Sequence, residues 1–330
     1  MDKIKIGVLG TAQIGMRQVI PAIQKSESCE VAAIASRTAE KAKEAAQKLN
    51  IDKFYGLYEN LLQDDELDAV YIPLPNHLHV PWSIKALQAG KHVLCEKPLA
   101  LNAGEVQELQ KVKNSTPDLK CMEAFMYRFH PQWDAVRKII NTEQIGKVQA
   151  IHSTFTYFND DADNIRNKYI EGGGGLMDIG SYCINLSRFL FNSEPERVIG
   201  NLRYDPEYGI DIQADGILDF GNQSANFMCA TRQFDDQEAV IKGSEGIIRV
   251  ANPFTQNQNT TIELEIATGR ETIDIEPANQ FTIQADEFAR SIIDSTPQPY
   301  ALDDAYKNMK VIDALFESDK HDKWVPIAYE

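Results

Sequence analysis

In the stretch VLCEKPLALN, residues 93–102, an apolar run stops at Glu96, Lys97 and Pro98. Proline holds its own φ and steers the residue before it away from helix. The stretch therefore presents Lys97 in a restrained geometry at the carboxyl end of a strand. In open α/β sheets that edge is where ligands bind; a surface lysine in a turn is the plainer alternative. A second stretch, GGGGLMDIGSYCINLSRFLF from Gly172, opens with glycines that do not suit a helix interior. From Leu176 onward, Leu176, Ile179, Cys183, Leu186 and Leu190 recur at helical spacing. Asp178, Tyr182 and Asn185 then fall at i, i+4 and i+7, along one polar face. Lysine, tyrosine and aspartate are all groups that hold or transfer protons. The competing reading of this helix is a surface element showing its wet side. The four glycines would let another backbone or a ligand come close.

A third stretch supplies an anion site. IGVLGTAQIG has the pattern Gly10-x-Ala12-x-x-Gly15 after a strand and at the opening of a helix. It is a variant of the dinucleotide fingerprint, with alanine for the second glycine. Gly10 allows the tight turn, Ala12 leaves room for a pyrophosphate, and Gly15 permits close helix–strand packing. Thr11, Gln13 and Ile14 complete the cradle, with the phosphate on the helix N-terminus. The second strand ends at Ser36 and Arg37, with Lys41 one helical turn later, where an NAD enzyme commonly places an acidic residue. A guanidinium can grip a ribose 2′-phosphate with paired hydrogen bonds. The expected cofactor is NADP(H), with NAD(H) the weaker alternative and a solvated arginine the plain one.

The elements that must position these residues fall into two halves. Up to about residue 120, KIKIGVLG, CEVAAIAS, LDAVYIPL and KHVLCE read as buried strands. They alternate with helical segments, among them TAEKAKEAAQKL with Thr38 as N-cap and HVPWSIKALQAG with Gly90 closing it. That alternation predicts βαβ units and a parallel sheet. Beyond it, KVQAIHSTFTYF, RVIGNLRY, DIQADGILDF, SANFMCATR, AVIKG and GIIRVA follow one another as strands. TIELEIATGRETIDIE reads as a hairpin about Thr268–Gly269, and two helices flank the turn at 297–299. Consecutive strands predict a large, mostly antiparallel sheet. The expected division is 1–122, an α/β dinucleotide-binding domain, and 123–330, an α+β substrate and dimerisation domain whose last helices return to the first.

Composition excludes several classes. The 330 residues carry a formal net charge of −16, yet residues 1–120 hold 15 Lys+Arg against 15 Asp+Glu. All the excess acidity lies in the second half, which argues against nucleic acid and anionic membranes as partners. No run reaches membrane-spanning length. The five cysteines are scattered and lack CxxC spacing, so neither a disulfide frame nor a metal site is expected, and a cytoplasmic location is.

Glu96-Lys97-Pro98, the altered fingerprint and the Asp178-xxx-Tyr182 helix together resemble the Gfo/Idh/MocA oxidoreductase family, in the right order along nearly the whole chain. MEAFMYRFHPQ and GGGGLMDIGSY resemble its branch of dimeric dihydrodiol and NADP-linked D-xylose dehydrogenases. Many members have histidine where this chain has Tyr182. The resemblance implies a homodimer, or a dimer of dimers, built on the open sheet. It also implies that Lys97, Asp178 and Tyr182 meet beside the nicotinamide. Tyr182 is then the acid/base, Lys97 its electrostatic activator and ribose anchor, and Asp178 the group that orients substrate. Lys97 as the base is the open alternative. Leu74, Pro75, Asn76 and His79 match the cofactor-side loop. Glu123, Phe155 and Phe158 are expected at the substrate. Arg166 has two equal readings, a cofactor phosphate or the acidic loop Asp160–Asp163. The expected activity is oxidation of a sugar or polyol hydroxyl. The alternatives are trans-dihydrodiol oxidation, reduction of a sugar-derived ketone or dicarbonyl, and a noncatalytic NADP-binding sensor.

Overall fold

Short β-rich runs buried on both faces form the first sheet, as a parallel arrangement requires. The structure, a computed structural model, describes residues 3–256 and 260–329. Strands β1 Ile4–Leu9, β2 Cys29–Ala35, β3 Lys53–Tyr55, β4 Ala69–Ile72, β5 His92–Cys95 and β6 Cys121–Glu123 pair in the order β3-β2-β1-β4-β5-β6, all parallel. The order reverses between β1 and β4, the topological switch point of a doubly wound fold. Helices α1 Ile20–Ile23, α2 Ala39–Leu49, α3 Tyr58–Leu62, α4 His79–Gln88 and α5 Ala103–Ser115 connect these strands. Thr38 caps α2 as expected, accepting from the Lys41 N–H. The β3–α3 pair was not legible, because three strand residues and five helical ones leave no measurable period.

The second sheet runs β14-β13-β12-β11-β7-β10-β9-β8-β15. Its strands are β7 Val148–Phe158, β8 Arg197–Tyr204, β9 Asp211–Asp219, β10 Ser224–Ala230, β11 Arg232–Gly243, β12 Gly246–Val250, β13 Thr260–Ile266, β14 Gly269–Ile275 and β15 Val325–Pro326. Every pair is antiparallel except β7 with β10. That parallel pair follows from the chain leaving β7 for a helix before it returns. Two details differ from expectation. The last hairpin turns on Ala267–Thr268, since Ile266 pairs with Gly269. β11 begins at Arg232, seven residues before the apolar run AVIKG, because its first half is polar and exposed. Helices α6 Pro131–Asn141, α7 Ser181–Phe191, α8 Gln280–Ile293 and α9 Leu302–His321 complete the chain.

The chain divides into two compact units, Met1–Phe129 with Asn279–Tyr306, and His130–Ala278 with Lys307–Glu330. In the first, Ala285, Phe288 and Ala289 of α8 are buried in the same core as Ile6, Val19, Ile20 and Ile34. In the second, Val198, Ala214, Leu218, Cys229, Ile241 and Ile248 are buried along the sheet.

Candidate functional site

In the first unit, the residues expected at a cofactor follow the carboxyl ends of β1, β2, β4 and β5. Parallel pairing puts those ends on one edge of the sheet. Gly10 has φ +125°, and its N–H donates to the Ala35 carbonyl at 2.9 Å. A methyl group there would stand 3.1 Å from Leu74 Cδ2, so glycine serves both the dihedral and the space. Thr11, Ala12 and Ile14 are partly exposed and Gln13 is exposed, over a turn that leads into a π turn at Gly15–Val19. Gly15 packs against Tyr71 and Pro73 of the neighbouring strand end. Ser36 is buried, whereas Arg37 and Lys41 are exposed. Pro75 and Asn76 lie partly exposed beside the buried Leu74.

The lysine-bearing loop is held from several directions. Tyr71 OH donates to Glu96 Oε1 at 2.6 Å. Leu99 N–H donates to Glu123 Oε1 at 2.8 Å. The ring nitrogens of His79 stand 2.8 Å from the Pro98 carbonyl oxygen and 2.7 Å from that of Leu74. These contacts correct the expectation for His79 and give Glu123 a second task. His79 is wholly enclosed, so it braces the two loops from beneath and does not itself face a ligand. Glu123 is buried with one carboxylate oxygen on the loop backbone, which makes it a support for the lysine loop. Lys97 is half-buried on this loop.

In the second unit, the helix from Leu176 begins with a π turn, Leu176–Gly180, before α7. The wet-side reading fails here. Asp178, Tyr182 and Asn185 are all buried. They also serve different neighbours, because the wider turn shifts Asp178 out of the 3.6-residue register that Tyr182 and Asn185 follow. Asn185 turns to Asn308 of α9. Asp178 Oδ2 accepts from Tyr157 OH at 2.6 Å and from Arg166 Nε at 2.9 Å. Arg166 thus pairs with Asp178 in place of the acidic loop Asp160–Asp163. The Asp178 charge, followed by burial working in the opposite sense, holds the Arg166 guanidinium firmly protonated. Burial and the same carboxylate push the Tyr157 phenol far up, so it stays a donor.

Tyr182 is set among aromatic rings. Phe155 meets it edge-on with centroids 5.7 Å apart, Phe254 lies 5.4 Å away, and Phe155 stacks on Phe254 at 5.1 Å. Phe155 is therefore a buried support for the phenol ring. Phe158 is corrected outright: it is 60% exposed, at the end of β7 and on the opposite face. Residues 155 and 158 differ by an odd number, and strand side chains alternate with period two. The partner of Phe155 on the shared face is Tyr157, which sequence reasoning passed over although the strand pattern pointed to it.

Among the described residues no group of three or more His, Cys, Asp or Glu is arranged to hold a metal ion, and no helix is long and apolar enough to cross a membrane. Comparison with known proteins gives three kinds of match. The profile of an oxidoreductase family with an NAD-binding Rossmann fold, Gfo/Idh/MocA, matches residues 4–124, and that of a Gfo/Idh/MocA C-terminal domain matches residues 133–249. The chain is 40% identical to an uncharacterised oxidoreductase, ORF334, of Rhizobium meliloti, over 98% of this chain and 99% of that one. It is 37% identical to a D-xylose 1-dehydrogenase (NADP(+)) of Haloferax volcanii, over 94% and 96%. Among solved structures, KijD10, a 3-ketoreductase from Actinomadura kijaniata in complex with NADP and TDP-benzene, superposes with a TM-score of 0.91 at 28% identity, over 96% and 98% of the two chains.

Proposed function

The chain belongs to the Gfo/Idh/MocA family of oxidoreductases, and from that membership we propose that it transfers hydride between NADP(H) and a carbinol carbon of a sugar or related polyol. One observation carries the reading. A phenol and a carboxylate, Tyr182 and Asp178, are buried four residues apart on one helix, the carboxylate held by two donors and the ring by two phenylalanines.

The first unit's residues fit a phosphorylated dinucleotide. The Gly10 turn leaves no side chain between its backbone and a pyrophosphate. Arg37 and Lys41 stand at the N-terminal end of α2, where the helix dipole disfavours cations. An adenosine 2′-phosphate between them accounts for that placement, which favours NADP(H) over NAD(H). The nicotinamide, when bound, accepts or returns the hydride.

The chain's own residues handle the proton. Tyr182 takes it from the substrate hydroxyl during oxidation and gives it back in reduction. Free tyrosine has a pKa of about 10, so a base near neutrality needs a cation beside it. The family resemblance assigns that task and the anchoring of the ribose to Lys97, and the orienting of the substrate to Asp178. Arg166 and Tyr157 keep Asp178 in one rotamer. The five cysteines, all free and buried, suit a reducing cytoplasm. A second copy of the chain is assigned to the outer face of the second sheet, where Ile217 is exposed beside His152, Thr154 and Met228; light scattering after size exclusion tests it.

A panel of aldoses, inositols and dihydrodiols with NADP+ and NAD+, and of sugar ketones with NADPH, read by nicotinamide absorbance, tests the activity. Turnover of aldoses with NADP+ is the expected result. Turnover confined to ketones moves the reading toward reduction, which the likeness to the 3-ketoreductase favours. Nucleotide binding without turnover of any compound overturns it in favour of a sensor.

A further inference from the structure

The helix that carries Asp178 and Tyr182 rests on a carboxylate the proposed chemistry does not use. Asp211, the first residue of β9, is 2% exposed. Its Oδ2 accepts from the Leu176 N–H at 2.6 Å, and the Gly175 N–H favours its charged form. These are N–H groups at a helix start, which have no partner within the helix. A methyl group on Gly174 would overlap Asp211 Oδ1, and one on Gly175 would stand 3.3 Å from Oδ2. Gly174 also has φ +122°, so the glycine there answers both the backbone angle and the approach of the acid.

The same glycines hold the rest of the cluster. Gly174 N–H donates to the Arg166 carbonyl at 2.9 Å, and Gly173 N–H to the Lys168 carbonyl at 3.0 Å. Asp178 N–H donates to the Gly174 carbonyl at 3.0 Å. A shift of the run therefore carries Asp178 and the backbone of Arg166 with it. Burial pushes the Asp211 carboxyl up to about 7, against the pull of the N–H groups. The titratable groups that act on it or feel it are Asp319 from α9, Tyr204 from β8 and Cys229 from β10.

We propose that Asp211 is a positioning residue of this site: its carboxyl oxygens pin the Gly175–Leu176 backbone and so fix where Asp178, Arg166 and Tyr182 stand. The kinetic part of this inference rests on the hydride-transfer reading; the structural part does not.

The test compares Asp211→Ala, Asp211→Asn and Asp211→Glu in the full chain. Asp211→Ala leaves the Leu176 N–H without an acceptor and should lower kcat by about ten- to a hundredfold, with KM for NADP+ unchanged. Asp211→Asn keeps an acceptor oxygen and should stay within about threefold of the parent, while the longer Asp211→Glu falls about tenfold. If Asp211→Ala does not fold, the Asn and Glu pair decides. Equal kcat in all folded variants overturns the proposal, as does a rise in KM for NADP+ with kcat unchanged. Amide hydrogen exchange over residues 174–180 keeps the two readings separable. Faster exchange there in Asp211→Ala or Asp211→Glu, with the sheet unchanged, supports the positioning role even if the parent chain turns over no sugar; unchanged exchange overturns it.

Discussion

The two units hold their functional residues in different ways. In the first, Gly10, Arg37, Asn76 and Lys97 each follow a strand of one parallel sheet, so strand register aligns them before any side chain acts. In the second, Asp178 owes its place to Tyr157 from β7, Arg166 from the loop after it and Asp211 from β9. One site is aligned by backbone topology, the other by converging side chains.

Substitutions ordered by expected effect can break that comparison or sharpen it. Tyr182→Phe removes the oxygen proposed to transfer the proton and should lower kcat at least about a hundredfold while NADPH binding, followed by fluorescence, is kept. Unchanged turnover would remove the phenol from the mechanism. Arg37→Asp should weaken NADPH by about ten- to a hundredfold and NADH much less, since charge-assisted hydrogen bonds contribute about 1.5–3 kcal/mol. Equal loss for both nucleotides would detach Arg37 from the 2′-phosphate.

Glu123→Ala deprives the buried Leu99 N–H of its acceptor, at about 1–3 kcal/mol. It should lower the denaturation midpoint and raise KM for NADP+ together, because the loop it supports is on the edge proposed to take the cofactor. Tyr157→Phe removes one of two donors from Asp178. It should lower kcat by about fivefold, consistent with about 1 kcal/mol for one hydrogen bond, and leave KM for NADP+ unchanged. If instead Glu123→Ala changes only kcat and Tyr157→Phe changes cofactor binding, the contrast between the two regions is wrong.

The last effect concerns pH and is read in stability, not in turnover. Asp211 binds its proton more tightly folded than unfolded, with a carboxyl raised to about 7 from an ordinary 3.8. Stability linked to that proton is whole below about pH 4 and is lost as pH rises toward 7. The Tm of the parent chain should therefore fall relative to Asp211→Asn between pH 5 and 8. A gap that moves the other way would show that the folded protein prefers the charged acid.

Local chemistry made much of this readable. Gly10, the Thr38 cap and the alternation of apolar strands with helical segments each act within about ten residues; the parallel sheet appears as that alternation implies, and the mostly antiparallel one as consecutive strands imply. Phe158 shows the limit of a pattern read loosely, because period two was available and points to Tyr157. The misplaced start of β11 has another cause: a polar, exposed strand carries no hydrophobic signal to read.

The amino-acid sequence by itself determined which residues have the chemistry: a lysine after a strand, a tyrosine and an aspartate on a helix, and a glycine turn before another. Those assignments rest on residue type and short spacing. Only the tertiary structure decided who holds them. Arg166 is 12 positions from Asp178, Tyr157 is 21, and Asp211 is 35 from Leu176. Contacts at such separations depend on strand pairing and on a π turn that resets the helical register, and neither leaves a local mark in the chain.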